Sequence, residues 1–319
     1  MTIFFGILIG FFVLMTLVTL HEFGHFLMAR KTGVRVVEFG IGFYPRAIAW
    51  VKQDGKWRRL PKSEWGKPQK DLIFSLNYLP IGGFCQMDGE TAIDTRKGTF
   101  GHASWRAKTK ILFGGVAMNW LTAFVILTML AWTGLPTLIN NQFTIREDTV
   151  LTYDERFTTP LEIRHSTWSA PIVAAGLTTQ LTGETFAGIG QLLWNLVSGV
   201  VGQFSFDNTI REQASSNLSA AGDSVSGPVG IVGTLFPAFV IAGPANLAYL
   251  TAVISVSLAC MNVLPIPALD GGRWLLITIF KLRKKKLTAE IEERIVSRAF
   301  TILLALIGIV TILDIVRLF

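Results

Sequence analysis

The residues His21-Glu22-Phe23-Gly24-His25 place two imidazoles four positions apart, with a carboxylate directly after the first. On an α-helix, at 100° per residue, positions i and i+4 lie about 40° apart, so both rings leave the same face. That spacing lets two neutral nitrogens reach one zinc ion at about 2.0–2.1 Å. Glu22 is offset from the ring face but near enough to take a proton from an attacking water. The chemistry on offer is metal-assisted hydrolysis. The plain alternative is packing of two histidines and a glutamate in a helix core. The apolar run before the motif argues against it, because a charge at membrane depth costs about 2.5–3.5 kcal/mol even on the lenient insertion scale.

A tetrahedral catalytic zinc takes three protein ligands and keeps one position open. His102 and His165 are the other two histidines. His102 falls in a polar stretch expected in the cytoplasm, and His165 on the opposite side of the bilayer. Asp270, in Asn262-Val-Leu-Pro-Ile-Pro-Ala-Leu-Asp270-Gly-Gly, is the better candidate. The apolar run before it is expected to run inward, which brings Asp270 to the same depth as His21 and His25. A helix cap ahead of Gly271 and Gly272 is the competing role for this residue. Pro265 and Pro267 break the helix, freeing backbone groups for pairing with an extended substrate strand.

The elements that must position these groups are mostly membrane spans. Four apolar stretches, 3–20 running on into the HEFGH motif, 111–135, 247–264 and 299–319, approach the roughly 20 residues that cross a 30 Å hydrocarbon core. Half the chain is hydrophobic and 16% is charged, against about a quarter charged in a soluble protein. The expected class is an α-helical integral membrane protein with about four transmembrane helices. Residues 1–3 carry no Lys or Arg and the first run lacks a small-x-small cleavage site, so it is expected to be retained. Cys85 and Cys260 lack a CxxC partner and read as buried small hydrophobes.

A net charge of +7 invites a nucleic-acid partner, but its placement points to a membrane. Of the 29 Lys and Arg, 16 fall between residues 30 and 110 and seven between 281 and 298. Residues 134–178 hold only Arg146, Arg156 and Arg164 against five acids. Basic loops stay in the cytoplasm, so both termini are expected outside, in a multi-pass protein of the inner (plasma) membrane. Partners are then the lipid bilayer and membrane proteins, with no nucleic acid. The Lys281–Lys286 run reads as an anchor beside the last span.

Along the chain, 36–50 predicts strand and turn, and 53–70, with Pro61 and Pro68, an exposed polar loop. Residues 72–84 end in a Pro80…Gly82-Gly83 turn signal, too broken for a span, and predict a membrane-reentrant β-hairpin. Residues 177–204 predict one or two short outer amphipathic helices with Trp194 as an interface anchor, and 208–226 a loop. The expected organisation is a first catalytic-core half over 1–135, an extracytoplasmic insertion over 136–227, and a second core half over 228–319.

Taken together, HEFGH at the end of a first span and Asn262-x-x-Pro265-x-Pro267-x-x-Asp270-Gly271-Gly272 resemble the site-2 protease family of intramembrane zinc metalloproteases. The likeness is closest to its bacterial branch of regulator-of-sigma-E-protease type. Tyr78–Glu90 resembles that branch's reentrant hairpin, Gly114-Gly115-Val-Ala-Met-Asn119 its second span, and Ser226-Gly-Pro-Val-Gly-Ile231 the segment before its third. The resemblance implies His21, His25 and Asp270 as Zn2+ ligands and Glu22 as general base. It implies that Asn262 holds the substrate backbone or oxyanion, and that Gly82 and Gly83 belong to the hairpin presenting the substrate as an added strand. Implied substrates are single-span membrane proteins such as anti-sigma factors, or signal-peptide remnants. One departure is plain: that branch carries one or two PDZ domains between spans two and three, and the insertion here has no room for one. Residues 169–177 carry a fragment similar to PDZ sequence.

Two other classes predict different patterns. A transporter spreads ionisable groups along several spans and shows inverted repeats, whereas here they cluster at one depth and no repeat is visible. An inactive scaffold predicts damage to one of the two motifs, and both are intact.

Overall fold

In the computed structural model, the residues described are 2–53, 55–65, 67, 69, 71–90, 96–134, 142–146, 149–152, 167–223, 227–285 and 287–318. Helix α1 (Thr2–Lys31) runs unbroken through the HEFGH motif and ends on Arg30 and Lys31, cations that suit the negative end of a helix. Three strands follow, β1 (Val36–Gln53), β2 (Lys56–Arg59) and β3 (Ile73–Met87), in the order β2-β1-β3. Helix α2 (Trp105–Thr133) comes next, then a small pair of strands, β4 (Gln142–Arg146) and β5 (Thr149–Thr152). The remainder is helical: α3 (Ser169–Gln203), α4 (Asn208–Asp223), the short α5 (Pro228–Gly230), α6 (Phe236–Ile241), α7 (Pro244–Val263), α8 (Asp270–Leu282) and α9 (Ala289–Leu318).

The chain divides into two compact units. One combines Leu8–Ala123 with Leu258–Leu303, and the other Met1–Ile7, Phe124–Ser257 and Leu304–Phe319. The first unit holds every candidate site residue.

In that unit β1 and β3 both bend, with Gly42 and Gly82 in the left-handed region that glycine tolerates at no steric cost. Phe39 therefore faces both Cys85 and Phe74, Gly40 both Phe84 and Ser75, and Ile41 both Gly83 and Leu76. The first half of β1 lies between the two halves of β3. Alternate residues Ile73, Ser75, Asn77 and then Cys85, Met87 are buried, as a pleated strand requires. Phe26, Ala29, Phe39, Cys85, Met87 and Ile111 close one apolar core between α1, the sheet and α2. Inside the sheet Glu38 is almost wholly buried, satisfied by Tyr44 at 2.8 Å and by the Arg46 guanidinium, whose Nε lies 3.0 Å away.

In the other unit α3 and α4 pack through small residues. Ser198 accepts from Asn217 at 3.0 Å and Gln203 donates to Ser215 at 2.9 Å. A Cβ on Gly199 would fall 2.7 Å from Leu218.

Three segments differ from the sequence expectation. Within 53–70, taken as loop, Lys56–Arg59 forms β2 by pairing with Trp50–Gln53. Residues 208–223, also taken as loop, form α4, because packing on α3 outweighs the weak helix preference of Ser and Asn. The stretch expected as one or two short amphipathic helices is one continuous 35-residue helix, starting at the PDZ-like fragment. Gln180, Glu184, Gln191, Asn195 and Ser198 share one face of it, opposite a broad apolar face. Among the described residues five helices are therefore long and apolar enough to cross a membrane, the four expected and Ser169–Gln203.

Candidate metal centre

One turn of α1 separates His21 from His25, and both imidazoles are buried. Their Nε2 atoms lie 3.1 Å apart. Asp270, first residue of α8, brings Oδ2 to 3.0 Å from His21 Nε2 and 3.3 Å from His25 Nε2. The carboxylate is thus turned to the imidazoles, 249 residues away in sequence from His21.

Three donors at 3.0, 3.1 and 3.3 Å form a nearly equilateral triangle. A tetrahedral ion with bonds of about 2.0–2.1 Å needs ligand atoms about 3.3–3.4 Å apart. Two imidazole nitrogens and one carboxylate oxygen also suit zinc chemically. The residues fit the ion. Glu22 belongs to the same group, its carboxylate oxygen within 4.8 Å of the histidine nitrogens. The Cys85 backbone N–H donates to Glu22 Oε2 at 3.1 Å, which aims the carboxylate.

The close approach of α2 makes this arrangement possible. A Cβ on Gly24 would meet the Gly114 carbonyl oxygen at 2.2 Å, and one on Gly115 would lie 2.6 Å from both His21 Nε2 and His25 Nε2. Small residues let helix backbones touch, and here they seat the imidazoles directly on α2. His25 Nδ1 donates to the Ile111 carbonyl at 2.8 Å, which leaves Nε2 for the centre. The Asn119 side chain, wholly buried, lies 3.2 Å from His21 Nδ1. None of Gly115, Ile111 and Asn119 stood out as site residues in the sequence, although Gly114-Gly115 and Asn119 carried part of the resemblance.

Helix α8 is fixed from several sides. Pro265 and Pro267 follow the end of α7, and the chain then folds back so tightly that a Cβ on Gly271 would strike the Val263 carbonyl at 2.1 Å, and one on Gly272 the Ile266 carbonyl at 2.0 Å. Trp274 Nε1 donates to Thr109 Oγ1 at 2.9 Å, and Trp105 Nε1 to Thr278 Oγ1 at 3.0 Å, two reciprocal bonds between α8 and α2. Arg273, one turn from Asp270, donates to Glu90 Oε1 at 2.8 Å, to the Glu90 carbonyl at 2.6 Å and to Glu292 Oε1 at 3.0 Å.

The remaining expected residues lie less centrally. Asn262 donates to the Leu258 carbonyl of its own helix at 2.9 Å. Gly82 and Gly83 lie against α1, where added Cβ atoms would be 2.8 Å from Val18 and 3.1 Å from Thr19 Oγ1. Pro265 is exposed and Pro267 half-buried. His102 is exposed and away from the centre, and His165 lies outside the described residues.

Comparison with known proteins gives a consistent picture. The model of Peptidase family M50 matches residues 9–306. A provisionally named zinc metalloprotease of Clostridium acetobutylicum is 26% identical over 98% of this chain and 98% of its own length. Zinc metalloprotease RasP of Bacillus licheniformis is 24% identical over 95% of this chain and 97% of its own, across 440 aligned positions. That span exceeds the 319 residues here, so the Bacillus relative carries insertions. Zinc metalloprotease Rip1 of Mycolicibacterium smegmatis is 33% identical over 42% of this chain and 32% of its own.

Proposed function

Because the chain belongs to peptidase family M50, we propose that it is a membrane-embedded zinc metalloendopeptidase that hydrolyses peptide bonds within or near transmembrane segments of other proteins. The observation that carries this reading is the triangle of His21 Nε2, His25 Nε2 and Asp270 Oδ2 with the Glu22 carboxylate beside it. Named zinc metalloproteases among the relatives support the choice of ion.

In this proposal His21, His25 and Asp270 hold Zn2+. Bound there, the ion supplies Lewis-acid polarisation of the scissile carbonyl and acidifies the attacking water. Glu22 takes that water's proton and delivers it to the departing amine. The Cys85 N–H keeps Glu22 aimed while it does so. Asn262 is assigned to the substrate backbone or oxyanion, for which its amide keeps a second N–H beyond the one given to the Leu258 carbonyl.

A transmembrane helix hides its amides, so the substrate must unwind locally before cleavage. The bent β1–β3 pair is proposed as a reentrant hairpin that stabilises the unwound strand by edge pairing, with Gly82 and Gly83 at its bend and free backbone near Pro265 and Pro267. Its bends expose Phe43, Tyr78, Leu79 and Ile81, side chains suited to lipid. Exposed apolar faces on α1 and α9 support the spans. With the four expected helices crossing and α3 lying on the outer surface, the basic 30–110 and 281–298 segments favour the plasma (inner) membrane with both termini outside. Candidate substrates are single-span regulators such as anti-sigma factors, and signal-peptide remnants.

The test is cleavage of a reconstituted single-span substrate by the purified protein. Wild type should cleave and lose activity on chelation, with recovery on adding Zn2+. Glu22→Gln should retain one zinc per chain yet lose activity by at least the 10²–10⁴-fold typical of a missing general base. Cleavage that survives both treatments removes the metallopeptidase assignment.

A further inference from the structure

Asn119 lies on α2, buried to zero exposure, with its side-chain amide 3.2 Å from His21 Nδ1. A buried polar side chain on a membrane-spanning helix is costly unless it is hydrogen-bonded. It is aimed at the one ring atom of His21 that does not face Asp270 or His25. The other imidazole shows what that atom needs. His25 Nδ1 has the Ile111 carbonyl as acceptor at 2.8 Å, and His25 Nε2 is left to the centre. At His21 Nδ1 it is the Asn119 side chain that takes the corresponding position.

We propose that Asn119 is a positioning residue for the metal centre, supplying through its side-chain carbonyl the acceptor that fixes His21 with its proton on Nδ1 and its Nε2 lone pair toward Asp270 and His25. This rests on the metal site proposed above. An imidazole that ligates through Nε2 carries its proton on Nδ1 and requires an acceptor there. The two ends of a carboxamide have nearly the same size and shape. Turning the amide about its last side-chain bond replaces the N–H2 beside Nδ1 with the carbonyl oxygen in a group of the same volume. A residue able to both donate and accept serves either tautomer. A purely apolar residue serves neither, and an aspartate serves only the ligating one.

That difference separates positioning from packing. Zinc affinity is measured in detergent-solubilised full-length protein by competition with a chromophoric chelator, and ligand geometry by the d–d spectrum after Co2+ substitution. The proteins compared are wild type, Asn119→Leu, Asn119→Ala and Asn119→Asp, each first required to be monodisperse with wild-type helicity. Two apolar variants are included so that the comparison does not hang on one of them folding. Loss of an outer partner of a ligating histidine costs about 10–100-fold in metal affinity. Asn119→Leu and Asn119→Ala should show that loss and an altered cobalt spectrum, while Asn119→Asp should match or exceed wild-type affinity with the wild-type spectrum.

Wild-type affinity in the apolar variants would overturn the proposal, and so would equal weakening in all three, since packing alone would then explain Asn119. If wild type itself binds no zinc, the metal centre falls and this inference with it. If wild type binds zinc and the variants do not discriminate, only the role of Asn119 falls.

Discussion

Gly115 yields the sharpest expectation at the scale of one residue. A methyl group there would sit 2.6 Å from the ligating nitrogens of both histidines, closer than real Cβ contacts come. Alanine is at the same time the better helix former by about 1 kcal/mol. Gly115→Ala should therefore drop zinc content well below one per chain, and an overpacking cost of about 1–3 kcal/mol should outweigh the helix preference and lower thermal stability. Metal analysis beside a melting curve checks both halves, and a variant that keeps its zinc contradicts the contact. His21, Glu22 and His25 were legible in the sequence because helix periodicity alone fixes their mutual direction. Asp270 was legible at one remove, through matching of depth between two spans. Gly115, Ile111 and Asn119 were not, because their roles arise from how α2 crosses α1, and i, i+4 spacing within one helix carries no information about its neighbour.

At the scale of elements, the short helix α8 has to hold a carboxylate in register with α1, and Arg273 is its principal fastening. One guanidinium ties α8 to Glu90 just beyond β3 and to Glu292 in the first turn of α9, and stacks 4.9 Å over Phe100. Removing it leaves two carboxylates facing each other in a largely enclosed space. Breaking a buried ion pair costs about 3–5 kcal/mol, and Arg273→Leu should fall toward the lower end because Glu90 and Glu292 retain some solvent contact. Denaturation in detergent should show the loss, together with weaker zinc binding. Unchanged values for both would mean that the tryptophan–threonine bonds suffice. The segmental misreadings share one cause. Residues 56–59 and 208–223 are polar, and local composition says loop. Each is recruited by a partner, β1 or α3, that local composition cannot reveal.

For the whole molecule, the orientation proposed from the distribution of Lys and Arg is directly measurable. Cys85 and Cys260 are both buried, and burial pushes the Cys85 thiol up, so native sulfur is a silent background for thiol labelling. Lys97 and Glu212 are exposed. An impermeant maleimide added to intact cells should label Glu212→Cys, and should label Lys97→Cys only after the membrane is opened. The reverse pattern would invert the proposed orientation.

The donors of the centre come from opposite ends of the order of synthesis. His21 and His25 leave the ribosome early, and Asp270 follows 249 residues after His21. Until α8 has been made and has docked, the nascent protein lacks the third ligand of the proposed set and offers His21 and His25 with only Glu22 beside them. On the proposed ligand set, metal acquisition would be a late event of biogenesis. A peptidase that becomes competent only after its last elements are in place passes through the insertion machinery, crowded with other nascent helices, without the means to cut them.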